Sequence, residues 1–141
     1  AQLFGWTVTY YNVPTILAEA IQSVSSSSLV FLFLTLVILL IAGMFMEALS
    51  VVIIVAPILH PVALLYGIDP IFFGFFVVFV MCIGIASPPF GPCLFVSCSL
   101  SNRPFVGVAK EVLPFILVEI LVAVIVIFLP EVVTFLPNLM E

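Results

Sequence analysis

Long apolar runs separated by short polar breaks organise this sequence. From Leu29 to Tyr66 the polar interruptions are Thr35, Glu47, Ser50 and His60. From Pro70 to Leu100 there is no charged residue. Val112 to Leu129 is a further apolar run of 18 residues, long enough for a helix to cross a bilayer. Between the runs, Gly67-Ile68-Asp69-Pro70 reads as a turn and Ser101 to Glu111 as a polar loop. Membrane β-strands alternate apolar and polar positions over about ten residues. These runs do not alternate, so helices are the expected spanning structure. Ahead of them, residues 1–11 read as the end of a helix with Trp6, Tyr10 and Tyr11 at an interface. Residues 15–24 place Ile16, Leu17, Ala20, Ile21 and Val24 against Glu19, Gln22 and Ser23, the pattern of an interfacial helix.

Composition agrees with the pattern. The chain has 141 residues, 66% hydrophobic and 6% charged, with mean hydropathy +1.57. A soluble domain carries about 25% charged residues, and a chain this short could not bury so much apolar surface in water. The expected class is an all-α membrane protein. Net charge is −5, with Arg103 and Lys110 the only bases, so a nucleic-acid surface is excluded. Both bases lie in 101–111, which places that loop in the cytoplasm and the tail 131–141 outside. Cys82, Cys93 and Cys98 form no CxxC pair and read as packing residues. The chain lacks an initiator Met and a basic leader, and is expected to be a fragment of a longer protein.

The run from Pro70 to Leu100 contains "IASPPFGP". As one straight helix its 31 residues would measure about 46 Å, against a hydrocarbon core of about 30 Å. Pro88 and Pro89 push the residues before them toward extended geometry, and Gly91 permits unusual backbone angles. A discontinuous helix broken at 87–92 is expected. Such a break frees carbonyls at the end of one half and N–H groups at the start of the next. Carbonyls suit a hard cation and N–H groups an anion. Ser87 adds a hydroxyl at the same point.

Leu29 to Tyr66 has two readings. Two full spans could meet at Glu47, with 18 residues before it and 19 after. Alternatively it is a re-entrant hairpin with arms Leu29–Ala42 and Ala48–Leu59 and the tip Gly43-Met44-Phe45-Met46-Glu47. Length favours two spans. Pro57 and Pro61, which bracket His60, weigh toward the hairpin. An acid at mid-depth, such as Glu47, is a functional candidate. Glu119 reads as an acid facing a neighbouring helix or snorkelling, and His60 as structural. No paired Ser/His or facing acids point to an enzyme. A carrier, an ion channel and a non-transporting structural membrane subunit remain open at this point. The polar stripe a channel needs is thin in Val112–Leu129, where Glu119 stands alone.

Four ordered elements then carry a resemblance: Gly43 to Glu47 (G-x-F-x-E), Pro57 to Pro61 (P-I-L-x-P), Gly67 to Gly74 (G-I-D-P-I-x-F-G) and Ser87 to Gly91 (S-P-P-x-G). They resemble the second half of the large membrane (M) subunit of TRAP (tripartite ATP-independent periplasmic) transporters. The resemblance covers about the last third of that subunit and implies a missing N-terminal repeat. It implies one half of an inverted-repeat elevator transporter, with residues 1–28 as scaffold end and interfacial arm, 29–66 as a re-entrant hairpin, 67–100 as the discontinuous helix and 112–130 as the final span. It implies sodium ions as coupling ions, an organic acid as substrate, and a bacterial inner-membrane location. The implied partners are a small membrane subunit and a periplasmic substrate-binding protein. Carried over by position, sodium falls on Gly43, Phe45, Gly84, Ser87, Pro88 and Phe90. The substrate side and hairpin tip fall on Met44, Met46, Glu47, Pro89 and Gly91. Ser87 replaces the family's commoner Thr and keeps the hydroxyl. Phe72 stands where His is frequent, and Pro92 and Cys93 depart from the usual residues. The Ser-Asn-Thr triplet of sodium–dicarboxylate symporters is absent, Phe90-Gly91-Pro92 standing in its place.

Overall fold

The computed structural model describes residues 27–46 and 48–139. The expected helix end at 1–11, the interfacial arm at 15–24 and Glu47 lie outside the described residues. Six helices follow in order: α1 (Ser28–Phe45), α2 (Ala48–Leu65), α3 (Pro70–Ala86), α4 (Pro92–Ser101), α5 (Phe105–Phe128) and α6 (Pro130–Leu139). The described residues contain no strand. By length and composition α1, α2 and α5 are each able to cross a membrane.

The bundle is built around α3. Its buried residues Phe72, Phe73, Phe76, Val77, Val80, Met81, Ile83 and Gly84 recur at three- and four-residue steps, the spacing that puts side chains on one helix face. Every other helix packs against it. The facing ridge of α1 is Phe31, Thr35, Leu39 and Gly43, four residues apart, with Leu32 and Leu36 beside it. At one end Phe31 stacks on Tyr66 at 5.1 Å and on Phe73 at 6.0 Å between ring centroids. His60 tilts against Phe73 at 6.4 Å, a packing position.

Local chemistry sets the boundaries. Asp69 caps α3: its Oδ1 accepts from the Phe72 N–H at 2.9 Å, and Pro70 occupies the first turn, where a missing donor costs nothing. Asp69→Ala is expected to cost about 0.5–2 kcal/mol of stability, read as a lower melting midpoint in detergent. Gly67 has φ +69° and turns the chain out of α2.

Several boundaries differ from those expected. α2 does not end near Leu59. It continues through Pro57 and Pro61 to Leu65, because neighbouring helices and side chains can re-satisfy the backbone groups a proline frees in a membrane helix. Gly43, Met44 and Phe45 do not form an open tip; they are the last turn of α1, with Met46 as its C-cap. Pro92 is not part of the break but opens α4. The last long helix begins at Phe105 rather than Val112, since Pro104 is a good helix-entry residue and Val106, Val108 and Ala109 continue the pattern. Residues 130–139 of the tail form a short helix, α6. Cys82 and Cys93 lie on outward faces of α3 and α4 rather than in the core.

Candidate functional site

The last turn of α1 meets the end of α3. Gly43 and Gly84 face each other so closely that a Cβ built on Gly84 would lie 2.8 Å from Gly43 Cα and 3.2 Å from the Gly43 carbonyl carbon. A Cβ on Gly43 would lie 2.9 Å from Gly84 Cα and 3.2 Å from Met81 Cε. Small residues let membrane helices approach backbone to backbone. Here the approach fixes the end of α1 beside the break. Two residues on, the Phe45 and Phe90 rings lie 5.6 Å apart, a second contact between the same two segments. Both rings are more than half exposed.

The break spans Ser87–Gly91, between α3 and α4. Two missing donors define it. Proline at 88 denies Gly84 O its helical partner, and proline at 89 denies Ile85 O. Gly84 O instead accepts from the Ser87 N–H at 3.0 Å. That leaves Ile83 O to the Ser87 hydroxyl, which donates to it at 2.7 Å. Ser87 is fully buried. Its proton is committed to Ile83, so its oxygen lone pairs are what it offers to anything else. Among the described residues neither Ile85 O nor Ala86 O receives a backbone hydrogen bond. The Pro88–Pro89 peptide is cis.

Gly91 closes the link. Its N–H donates to Ser87 O at 3.0 Å. A Cβ at Gly91 would sit 2.6 Å from Ile85 O and 2.7 Å from Ser87 O. Only glycine fits there, because two carbonyl oxygens lie where a methyl group would clash with them. The arrangement is oxygen-rich and lacks any cationic side chain from the described residues. It can coordinate a hard cation.

The sequence-assigned residues therefore divide. Gly43 and Gly84 meet, and so do Phe45 and Phe90. Ser87 and Gly91 lie in the link with Pro88 and Pro89, the first proline half-buried and the second exposed. Met44 is half-buried and Met46 is exposed, its N–H capping α1 through Ala42 O at 2.8 Å. Glu47 is outside the described residues. The sequence reading missed Met81, which seals the glycine contact from the α3 side, and the carbonyls of Ile85 and Ala86. Counting back four from each proline would have found Ile85.

Beyond the break, α4 carries three hydroxyls. Ser97, Ser99 and Ser101 donate to the carbonyls of Cys93, Phe95 and Ser97 at 2.8, 3.0 and 2.7 Å. Arg103 pairs with Glu111 at 3.2 Å, both well exposed, a contact worth under about 1 kcal/mol. A separate concavity of about 530 Å³ opens at the far end of α3, between Ser28, Tyr66, Asp69, Phe72, Ile127 and Glu131. Asp69 is 18 residues from Ser87, about 27 Å along a helix. That concavity is not part of the break.

Comparison with known proteins shows the family. The family model of the tripartite ATP-independent periplasmic transporter, DctM component, matches residues 1–132. The chain is 37% identical to the isethionate TRAP transporter permease protein DctMQ of Oleidesulfovibrio alaskensis, over 94% of this chain and 21% of that protein. It is 36% identical to the C4-dicarboxylate TRAP transporter large permease protein DctM of Pseudomonas aeruginosa, over 98% of this chain and 32% of the relative. It is 35% identical to the sialic acid TRAP transporter large permease protein SiaM of Vibrio cholerae, over 97% and 32%. The chain thus spans between a fifth and a third of these relatives. It belongs to the DctM family of TRAP transporter membrane components.

Proposed function

We propose that this chain is the ion-handling half of a sodium-coupled permease that imports an organic acid. The supporting observation is the seam between α1 and the break. There a backbone contact at Gly43 and Gly84 adjoins a link with two carbonyls that receive no backbone hydrogen bond among the described residues, a buried hydroxyl oxygen and a glycine against which carbonyl oxygens press. Sodium is a co-substrate in this reading. Ser87 Oγ and the backbone oxygens of Gly43, Phe45, Gly84, Pro88 and Phe90 are the proposed ligands, and the Ile85 carbonyl, which receives no backbone hydrogen bond among the described residues, is proposed with them.

In this reading α1 and α2 are the arms of a re-entrant hairpin that begins and ends outside the cytoplasm. Their lengths fit a full span equally well, so the hairpin rests on family membership. Sodium between the end of α1 and the break would hold the two together. With that seam closed, the N–H groups at the start of α4 become a fixed positive end for a carboxylate. The loaded bundle would then move as a unit across the membrane, against the remaining part of the permease. Isethionate, C4-dicarboxylates and sialic acid, which the relatives' names give, are all organic acids, and this is the substrate class proposed. The proposed partners are a small membrane subunit and a periplasmic binding protein that delivers the acid. The proposed location is the bacterial inner membrane, with the Arg103 loop in the cytoplasm.

The test is uptake by the full permease, with its small subunit and binding protein, in proteoliposomes. Accumulation of one of these acids only under an inward sodium gradient is expected. Equal uptake with potassium in place of sodium, or flux that never exceeds equilibration, would overturn the reading.

A further inference from the structure

Glu119 is the acid deepest in α5, a helix of 24 residues whose other acid, Glu111, lies near its start and pairs with Arg103. It lies about 21 Å from the start of the helix and about 13 Å from its end, at membrane depth. The residue is exposed, and it makes no hydrogen bond or ion pair among the described residues. The bases of this chain cannot serve it. Lys110 is nine residues earlier on the same helix, which is about 13 Å away and half a turn round, on the opposite face. Arg103 lies before the helix and is tied to Glu111.

α5 buries a narrow stripe, Ala109, Ile116, Ala123 and Ile127, against the bundle. Beside that stripe runs another: Val112, Phe115, Glu119 and Val122. Phe115 is 71% exposed and Val122 39%. Lipid cannot cover this face as it stands, because a carboxylate in hydrocarbon lacks any partner. The face needs an apolar neighbour with one strong donor at the right depth.

We infer that this stripe of α5 docks a membrane-spanning helix from the portion of the permease outside this chain, one that presents an arginine or lysine to Glu119. Charge complementarity fixes the chemistry of the partner. Length points to its source: the chain covers 32% of the single permease relatives, so about two thirds of such a polypeptide lies outside it and can supply the helix. The inference does not depend on sodium coupling.

The full-length permease tests it with its charge neutralised. With a buried basic partner, Glu119→Leu strands a cation, lowers the melting midpoint and cuts uptake roughly tenfold or more. Glu119→Gln keeps an acceptor and retains most of both. A lipid-facing Glu119 predicts the reverse, since Glu119→Leu would then leave uptake unchanged and raise the melting midpoint; that result overturns the proposal. A photoreactive group at Val122, which leaves Glu119 intact, is expected to crosslink to a permease peptide outside residues 1–141. Crosslinks only to lipid, to a second copy of residues 1–141 or to another subunit would each overturn it.

Discussion

Gly84→Ala in the full permease is expected to part α1 from α3 and abolish most uptake, while Gly74→Ala on the same helix is expected to do no harm. The two glycines differ in what a methyl group would meet. At Gly84 it would press within 2.8 Å of the Gly43 backbone, and backbone cannot rotate aside. Overpacking of this kind costs about 1–3 kcal/mol. The misfit also falls where the end of α1 must meet the break. At Gly74 nothing lies within 4 Å. Alanine there gains helix propensity, about 0.5–1 kcal/mol. Melting midpoints of the two purified variants, compared with the parent, check the pair. A Gly84→Ala protein that melts and transports like the parent would show that the contact is not needed.

The second large effect concerns Ser87. Ser87→Ala is expected to raise the sodium concentration for half-maximal uptake about tenfold or more, the scale of one lost bond to a charged group. The same change removes the donor to Ile83 O, and an unmet buried carbonyl costs about 1–3 kcal/mol. Stability and sodium dependence must therefore be measured separately. Ser87→Thr keeps the hydroxyl and is expected to restore sodium dependence. If Ser87→Ala melts earlier without sodium yet responds to sodium like the parent, the hydroxyl only ties the break together and the ligand role fails.

Much of the fold is legible in the residues themselves. Continuous apolar runs specify membrane helices, and the prolines at 88 and 89 each delete a donor that a helix needs. The interruption of the chain between α3 and α4 follows from that count. What the residues do not disclose is which way each helix faces. α1 is apolar all round, so its Phe31–Thr35–Leu39–Gly43 ridge has no polar side to contrast with. Periodicity reads faces from contrast, and lipid-exposed helices remove it. For the same reason the meeting of Gly43 with Gly84, and of Phe45 with Phe90, was not visible as geometry. Residues 41 and 45 apart in sequence are linked only through the family motif. The hairpin arm to Leu59 is too short because proline is weighed as a helix breaker, and in a packed membrane bundle it is tolerated.

The serines of α4 carry one last consequence. Each spends its only proton on a carbonyl one turn back along its own helix. An exposed hydroxyl normally offers a donor and an acceptor together; these offer lone pairs alone. The C-terminal half of α4 therefore offers lone pairs without bearing a charge. An anion passing this helix finds no hydroxyl to welcome it, while a cation or an N–H group finds several. An acid held near the break must take its hydrogen bonds from the backbone at the head of α4, not from the serines along its side.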